Sequence, residues 1–443
     1  MKFSALLVLV ASAAVAADED LPFGTRSYHR DPACGRSPER CGALGPPAFA
    51  FATSTGLGMG AACACTVPTG TKGETMTFAR GSSATCLKGN IYSEIQNGDM
   101  VTCAADQPRV MPGGFGTGGL GLLSEPAATN LILRSQELEN AAWADFAVVV
   151  AAPTITANAA TAPDGTLTAE RFQIPATGVA ETSGRHQTSG GVGAPGQNTC
   201  SMFVRGNGTS GTLDIVKYNG GAATFDTGTC PYTSTGWSFC QTVLVNPTAS
   251  TFDCYIGNLG AFTSTARGAQ DVFIWGVQGE VGGSATSYIV TAGVASGRAA
   301  EAGYFSYSPA SSAAGSLAAT WVVSKGLNGN TVENALVSQS IGAAYDRLLL
   351  YRNTSFDLIF YSSAASFSNV GAAPTPGVPE RVWGSWTGGT SGTSSYKGVV
   401  ANGTISAGGI DTRLYVGAYN GLNSEPNGVI KNVCADPNPN RCR

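Results

Sequence analysis

The feature that most limits what this chain can become is a period-two alternation of apolar and polar residues, with almost no sustained helical period. Leu317, Ala319, Trp321 and Val323 share one face of an extended segment. Phe252, Cys254 and Ile256 do the same, as do Phe356, Leu358 and Phe360, with Asp357 and Tyr361 on the opposite side. Clusters of Gly, Ser, Thr, Asn and Pro, such as 388–395 and 374–379, punctuate these segments and read as turns. The exception is a single helical turn expected over 135–142, with Ser135 as its cap. Many short strands separated by turn signals predict an all-β chain of antiparallel sandwiches. A length of 443 residues exceeds what one core holds, so two or three domains are expected, with junctions at the Gly-rich run 113–121 and near 293–302.

The chain opens with Lys2, an apolar stretch from Ala5 to Val10 and the small-x-small pattern Ala14, Val15, Ala16, followed by the acidic Asp18, Glu19 and Asp20. This reads as a signal peptide over 1–17, its apolar run too short to span a bilayer. Export to an oxidising compartment decides how the twelve cysteines are read. They fall in three even groups: Cys34, Cys41, Cys63, Cys65, Cys86 and Cys103; Cys200, Cys230, Cys240 and Cys254; Cys434 and Cys442. Local disulfides are expected within each group. A zinc reading of Cys63, Cys65, Cys86 and Cys103 is the weaker one, because the whole chain has only two histidines, His29 and His186, to complete a Cys/His site.

One pairing can be argued from spacing, and otherwise four cysteines allow three connectivities. Cys240 and Cys254 are equidistant from Pro247, so a hairpin turning at 246–249 would oppose them and leave Cys200 to pair with Cys230. Cys34–Cys41 and Cys434–Cys442 read as small closed loops, each contributing roughly 2 to 3 kcal/mol by limiting the unfolded chain.

Charged residues make up 12% of the chain, against roughly 25% in an average soluble domain. The 25 basic and 29 acidic side chains leave no basic footprint for nucleic acid or an anionic membrane. No later segment is long and apolar enough to form a transmembrane helix.

Several motifs resemble a module of tailed-phage structural proteins and bacterial secreted relatives. TFARGSSAT at 77–85, Pro108 with Arg109, LLSEPAATNL at 122–131 with Ser135 and Trp143, WGVQGE at 275–280, ATSYIVTAG at 285–293, and Arg298 near Glu301 carry it. The resemblance implies a jelly-roll carbohydrate-binding-like domain over 129–300, preceded by a lead-in segment over 74–128. A second resemblance, to laminin-G or concanavalin-like sandwiches, covers 301–443. It rests on Arg381, Val382, Trp383 and Trp386, then Tyr396, Lys397, Gly398, Asn402 and Gly403, then Tyr415 to Gly417. The expected fold is therefore two tandem antiparallel β-sandwiches after a Cys-rich N-terminal region over 18–73. The signal peptide and that region depart from a phage fibre and favour a secreted or cell-surface protein. Jelly rolls of this type often hold one structural Ca²⁺, and by resemblance Glu139 and Asp271 are its expected oxygen ligands.

Material for catalysis is thin. His29 lies in a polar N-terminal stretch, His186 in a Gly-rich context, and no Gly-x-Ser-x-Gly elbow stands between a strand and a helix. The alternating Glu-x-Asp-x-Glu run that supplies paired carboxylates to sandwich glycosidases is missing. No catalytic residue is assigned. Carbohydrate binding asks only for an aromatic platform and a few polar groups. Trp237, Trp383 and Tyr396 are the expected platform, with Arg185 and His186 as polar contacts. Trp383 and Trp386 are three residues apart and so face opposite sides of a strand, with Trp383 as the exposed one. The expected function is a non-catalytic carbohydrate-binding or adhesion protein whose partner is a polysaccharide or cell-surface glycan. The alternatives are a phage-derived tail-fibre-like receptor-binding component and a polysaccharide depolymerase.

Overall fold

The computed structural model describes residues 49–51, 63, 65, 67–68, 74–88, 94–112, 120–193, 196–220, 223–246, 250–306, 313–323, 333–339, 348–352, 357–362, 365–370, 374–388, 391–405, 413–417 and 428–443. The signal peptide, His29, the Cys34–Cys41 loop, Phe356 and most of the 113–121 junction lie outside the described residues. Among those described, the regular structure is strand throughout, except for one helical turn, Gly260–Thr263. The turn expected at Ser135 does not become a helix. Ser135 Oγ shares a hydrogen bond with the Tyr288 hydroxyl (2.6 Å) and accepts the Thr291 N–H (3.0 Å), so tertiary contacts take the hydroxyl that would have capped.

Two five-stranded antiparallel sheets form the first sandwich. One runs in the order Ser238–Asn246, Gly196–Gly206, Gln270–Val281, Ala169–Ile174, Thr154–Ala160, and is called the covered sheet below. The other, the open sheet, runs Thr224–Tyr232, Gly211–Asn219, Ser250–Leu259, Thr182–Gly193, Ala144–Val148. Alternate residues of both sheets, among them Phe172, Met202, Val204, Leu213, Ile215, Phe252 and Ile256, meet in a shared core.

Four cysteines lie in that core and correct the spacing argument: the bonds are Cys200–Cys254 and Cys230–Cys240, with Cα separations of 6.0 and 5.4 Å. The hairpin assumption fails because Ser238–Asn246 and Ser250–Leu259 belong to opposite sheets, so Cys240 and Cys254 are not hydrogen-bonded neighbours. Each bond instead staples the covered sheet to the open one. Grouping did hold: Cys63–Cys86, Cys65–Cys103 and Cys434–Cys442 all form within their groups.

The second sandwich draws on both ends of the described chain. Its larger sheet runs Val399–Thr404, Ser391–Tyr396, Glu380–Thr387, Gly315–Val323, Gly428–Asp436, Leu120–Ser124, Arg109–Pro112, with Phe49–Phe51 also pairing to Gly428–Asp436. Its seven-stranded sheet runs Met76–Ala79, Ala302–Phe305, Leu414–Val416, Glu333–Ser338, Leu348–Arg352, Asp357–Ser362, Ala365–Val370. Strands from the lead-in segment 74–128 thus hydrogen-bond into the C-terminal sandwich, and the first sandwich is inserted between them. A two-stranded ladder, Ala128–Asn130 with Ser296–Arg298, closes the neck of the insertion.

The motif residues that carry the family resemblance converge beside this neck. Glu301 accepts from Arg80 (2.7 Å) and from Arg109 (2.9 and 2.6 Å), while Glu125 accepts from Arg109 (2.7 Å) and from the Ser287 N–H (2.9 Å). Arg298 lies 3.5 Å from Glu125 and donates to the Pro126 carbonyl. All five charged side chains are buried. Against the cost of burial, Glu301 and Glu125 hold Arg109 firmly protonated. Losing one partner would strand a buried charge, so the cluster holds together only as a set.

The outer face of the covered sheet is closed by the strand pair Ala84–Leu87/Met100–Cys103 and by Ile95 in the connection between them. Leu87, Ile95 and Met100 pack on Phe203, Trp237, Phe239, Phe273 and Trp275, and Ile95 exchanges backbone hydrogen bonds with Trp237 (3.0 and 2.7 Å).

Candidate functional site

On Ser250–Leu259, Phe252, Cys254 and Ile256 fill the core, so Asp253 and Tyr255 project from the other side of the open sheet. Register then brings a set of rings to that outer face. Tyr255 pairs with His186 on one neighbouring strand and with Val216 on the other. Tyr218 pairs with Asp253 and with Phe225, and Phe146 pairs with Gly184. Gly184 and Gly257 are directly opposed. Gly257 has φ +148°, and a Cβ there would meet the Ser183 carbonyl oxygen at 2.4 Å, so only glycine allows the strands to approach so closely.

The rings form one connected surface. His186 stacks on Tyr255 with centroids 4.7 Å apart and planes 6° from parallel. Phe146 and Tyr218 meet Tyr255 edge-on at 5.0 and 5.9 Å. Phe262, on the helical turn that follows Leu259, stacks with Phe146 at 5.5 Å and touches Phe225 at 5.1 Å and Tyr255 at 5.3 Å. Tyr255 is the buried floor at 8% exposure, Phe225 is the open rim at 44%, and Phe146, His186, Tyr218 and Phe262 lie between them. Burial, then the charge of Asp253, pushes the Tyr255 hydroxyl up to about 12. Burial, with Arg185 adding to it and Asp253 opposing, holds the His186 imidazole below its ordinary value. At neutral pH the rings are therefore uncharged, and Asp253 is the nearest formal charge among them.

A second concavity, about 880 Å³, opens at one end of the same sandwich between Gln173, Thr212, Tyr232, Arg267, Gln270 and Asp271. Its polar walls are bonded to one another. The Tyr232 hydroxyl donates to Gln270, whose amide donates to the Thr212 carbonyl (2.8 Å); Asp271 accepts from Arg171 (2.6 Å) and Asn207 (3.2 Å); Arg267 donates to Asp214 (2.6 Å). Such walls offer little to a ligand that the aromatic face does not offer better.

Of the expected site residues, the structure brings only His186 to the aromatic face. Arg185 takes the other side of its strand, pairing with Asp145 (2.5 Å) and donating to the Leu138 carbonyl (2.7 Å). Trp237 is fully buried under that strand pair, its Nε1–H donated to Asn97 and its ring under Arg205 at 4.8 Å, which corrects its reading as a ligand contact. Tyr396 is likewise corrected: it lies fully buried in the core of the second sandwich. Trp386 is 1% exposed and Trp383 half-buried, as their three-residue spacing requires, with Arg443 over the Trp383 ring at 5.0 Å.

Glu139 and Asp271 are not assembled into one calcium site. Asp271 is spent on Arg171 and Asn207, whereas exposed Glu139 shares a hydrogen bond with buried Glu170. Among the described residues no three His, Cys, Asp or Glu side chains gather as a metal would need.

The residues missed from sequence are Phe146, Tyr218, Phe225, Tyr255 and Phe262. For Tyr255 the signal was present, since the alternation that places Phe252, Cys254 and Ile256 inside places Asp253 and Tyr255 outside. Phe146, Phe225 and Phe262 come from other strands and a turn, and only the register joins them.

No protein-family model matches the chain, and no curated protein matches it. Among solved structures, the tandem CBM22-1–CBM22-2 domains of Paenibacillus barcinonensis Xyn10C match at 11% identity, over 69% of this chain and 97% of that one, with a TM-score of 0.25. Mouse laminin alpha1 domains LG4-5 match at 10% identity, over 66% and 92%, with a TM-score of 0.22. Bacteriophage CBA120 tailspike protein 4 matches at 16% identity and a TM-score of 0.25 over 34% of this chain, which spans 21% of the tailspike chain.

Proposed function

We propose that this is an exported, non-catalytic glycan-binding protein that holds its ligand on the aromatic face of the open sheet. The observation that carries the reading is the connected set of Phe146, His186, Tyr218, Phe225, Tyr255 and Phe262 on the outer face of the open sheet, with Phe225 open to solvent at its rim. Aromatic rings pack against the C–H face of a sugar, and polar groups at their margin take its hydroxyls. Export is supported by the apolar leader and by five disulfides among the described residues.

A glycan array probed with the mature protein tests the reading. Binding is expected, and Tyr255→Ala or Phe262→Ala, each still folded by near-UV circular dichroism, should weaken it at least ten-fold, about 1.4 kcal/mol. Absence of binding to any polysaccharide or cell surface overturns it. Release of reducing ends or unsaturated sugars would favour a depolymerase, and a trimer found on phage particles would favour the tail-fibre alternative.

A further inference from the structure

Two buried polar atoms on this face have no hydrogen-bond partner among the described residues: Asp253 Oδ1 and His186 Nδ1. Their residues are diagonal neighbours across adjacent strands, because His186 pairs with Tyr255 and Asp253 stands two positions before it, a separation of about 5 to 8 Å. Asp253 is 5% exposed, and its other oxygen accepts only from the Thr251 hydroxyl at 3.2 Å. No cation lies within ion-pair distance of it among the described residues. Lys217, whose charge Asp253 feels, turns to the core, where its Nζ donates to the Tyr218 carbonyl (2.6 Å) and lies 4.3 Å from the Phe252 ring centroid. A buried carboxylate oxygen without a donor is costly and demands one from outside the chain.

We infer that this face, read as a glycan site as above, selects neutral saccharides by presenting Asp253 and His186 to two adjacent hydroxyls, and excludes sugars that carry a carboxylate, sulfate or phosphate. A hydroxyl both donates and accepts, so one hydroxyl satisfies Asp253 as donor while its neighbour fits either tautomer of the imidazole. The C–H face of the same ring rests on the more open rings of the set, Phe262 and Phe225, with Tyr255 as the floor beneath them. An anionic substituent only accepts, and beside Asp253 it places two like charges in a partly dry site with no cation between them.

Titration calorimetry of the wild-type protein against matched neutral and uronic-acid oligosaccharides tests this directly. Neutral oligosaccharides should bind at least ten-fold more tightly than the uronic-acid set. Asp253→Asn should lose about ten-fold for neutral sugars and narrow the neutral-to-acidic ratio. His186→Phe, which keeps the stack on Tyr255 and removes Nδ1, should lose less while leaving that ratio in place. Acidic sugars bound as well as neutral ones, with Tyr255→Ala still abolishing binding, would overturn the selectivity and leave the glycan site standing. Binding to neither set would overturn both. The ligand comparison uses unmodified protein, so it decides the matter even if the Asp253 variant misfolds.

Discussion

The two outer faces of the inserted sandwich carry nearly the same chemistry and meet opposite fates. The covered sheet presents Phe203, Trp237, Phe239, Phe273 and Trp275, and the open sheet presents Phe146, Tyr218, Phe225, Tyr255 and Phe262. On the covered sheet Leu87, Ile95 and Met100 turn the rings into core. On the open sheet the described layer above the rings is the helical turn carrying Phe262, itself part of the set. Ring count and strand alternation therefore do not separate a core from a binding surface; what lies above the rings does.

The sharpest way to break this contrast is to remove the central ring of the covered face. Trp237→Ala should cost about 3 to 5 kcal/mol, read as a large fall in the thermal midpoint, because a fully buried indole and its bond to Asn97 are both lost. In whatever fraction stays folded, glycan binding should be unchanged.

A smaller effect concerns the charge each sheet hides. On the covered sheet, burial together with the hydrogen bond and charge of Glu139 pushes the Glu170 carboxyl up to about 9. On the open sheet, burial brings the Lys217 ammonium down to about 8, with Asp253 opposing. The folded state binds more protons than the unfolded one at Glu170, so this contribution is full near pH 4 and is lost as pH rises toward 9. Lys217 acts in the opposite sense: its burial destabilises below about pH 8 and is relieved above it. Thermal midpoints should therefore decline from pH 5 to pH 8 in the wild type, and Glu170→Gln should flatten that decline. A profile unchanged by Glu170→Gln would remove Glu170 as its source.

The smallest stability effect belongs to the rim of the open face. Phe225→Ala, at a position 44% exposed, should shift unfolding by less than about 1 kcal/mol while weakening glycan binding several-fold in titration. A ring that mattered equally to both would belong to a core.

This contrast also marks what the residues could disclose. The all-β class was readable because alternation is local, and so was the opposed placement of Trp383 and Trp386. The Cys434–Cys442 loop closes over a separation of 8 residues and needs no knowledge of the sheets. The Cys240–Cys254 expectation failed at the next level, since equal spacing about Pro247 says nothing about whether two strands share a sheet. Trp237 failed for a related reason: its cover, Ile95, is more than a hundred residues away, and no local pattern announces it. His186 was identified, but its partner Phe146 became visible only with the register.

The neck of the insertion also constrains timing. Gly428–Asp436 pairs with Leu120–Ser124 on one side and Gly315–Val323 on the other, so the larger sheet of the second sandwich cannot close until nearly the whole chain has been made. The inserted sandwich spans 144–281 and holds both of its disulfides within that range, so it can fold while the chain is still emerging. Until Gly428–Asp436 arrives, Leu120–Ser124 has Arg109–Pro112 on one side and an open edge on the other, and this interval is when the chain is most exposed to wrong strand pairing.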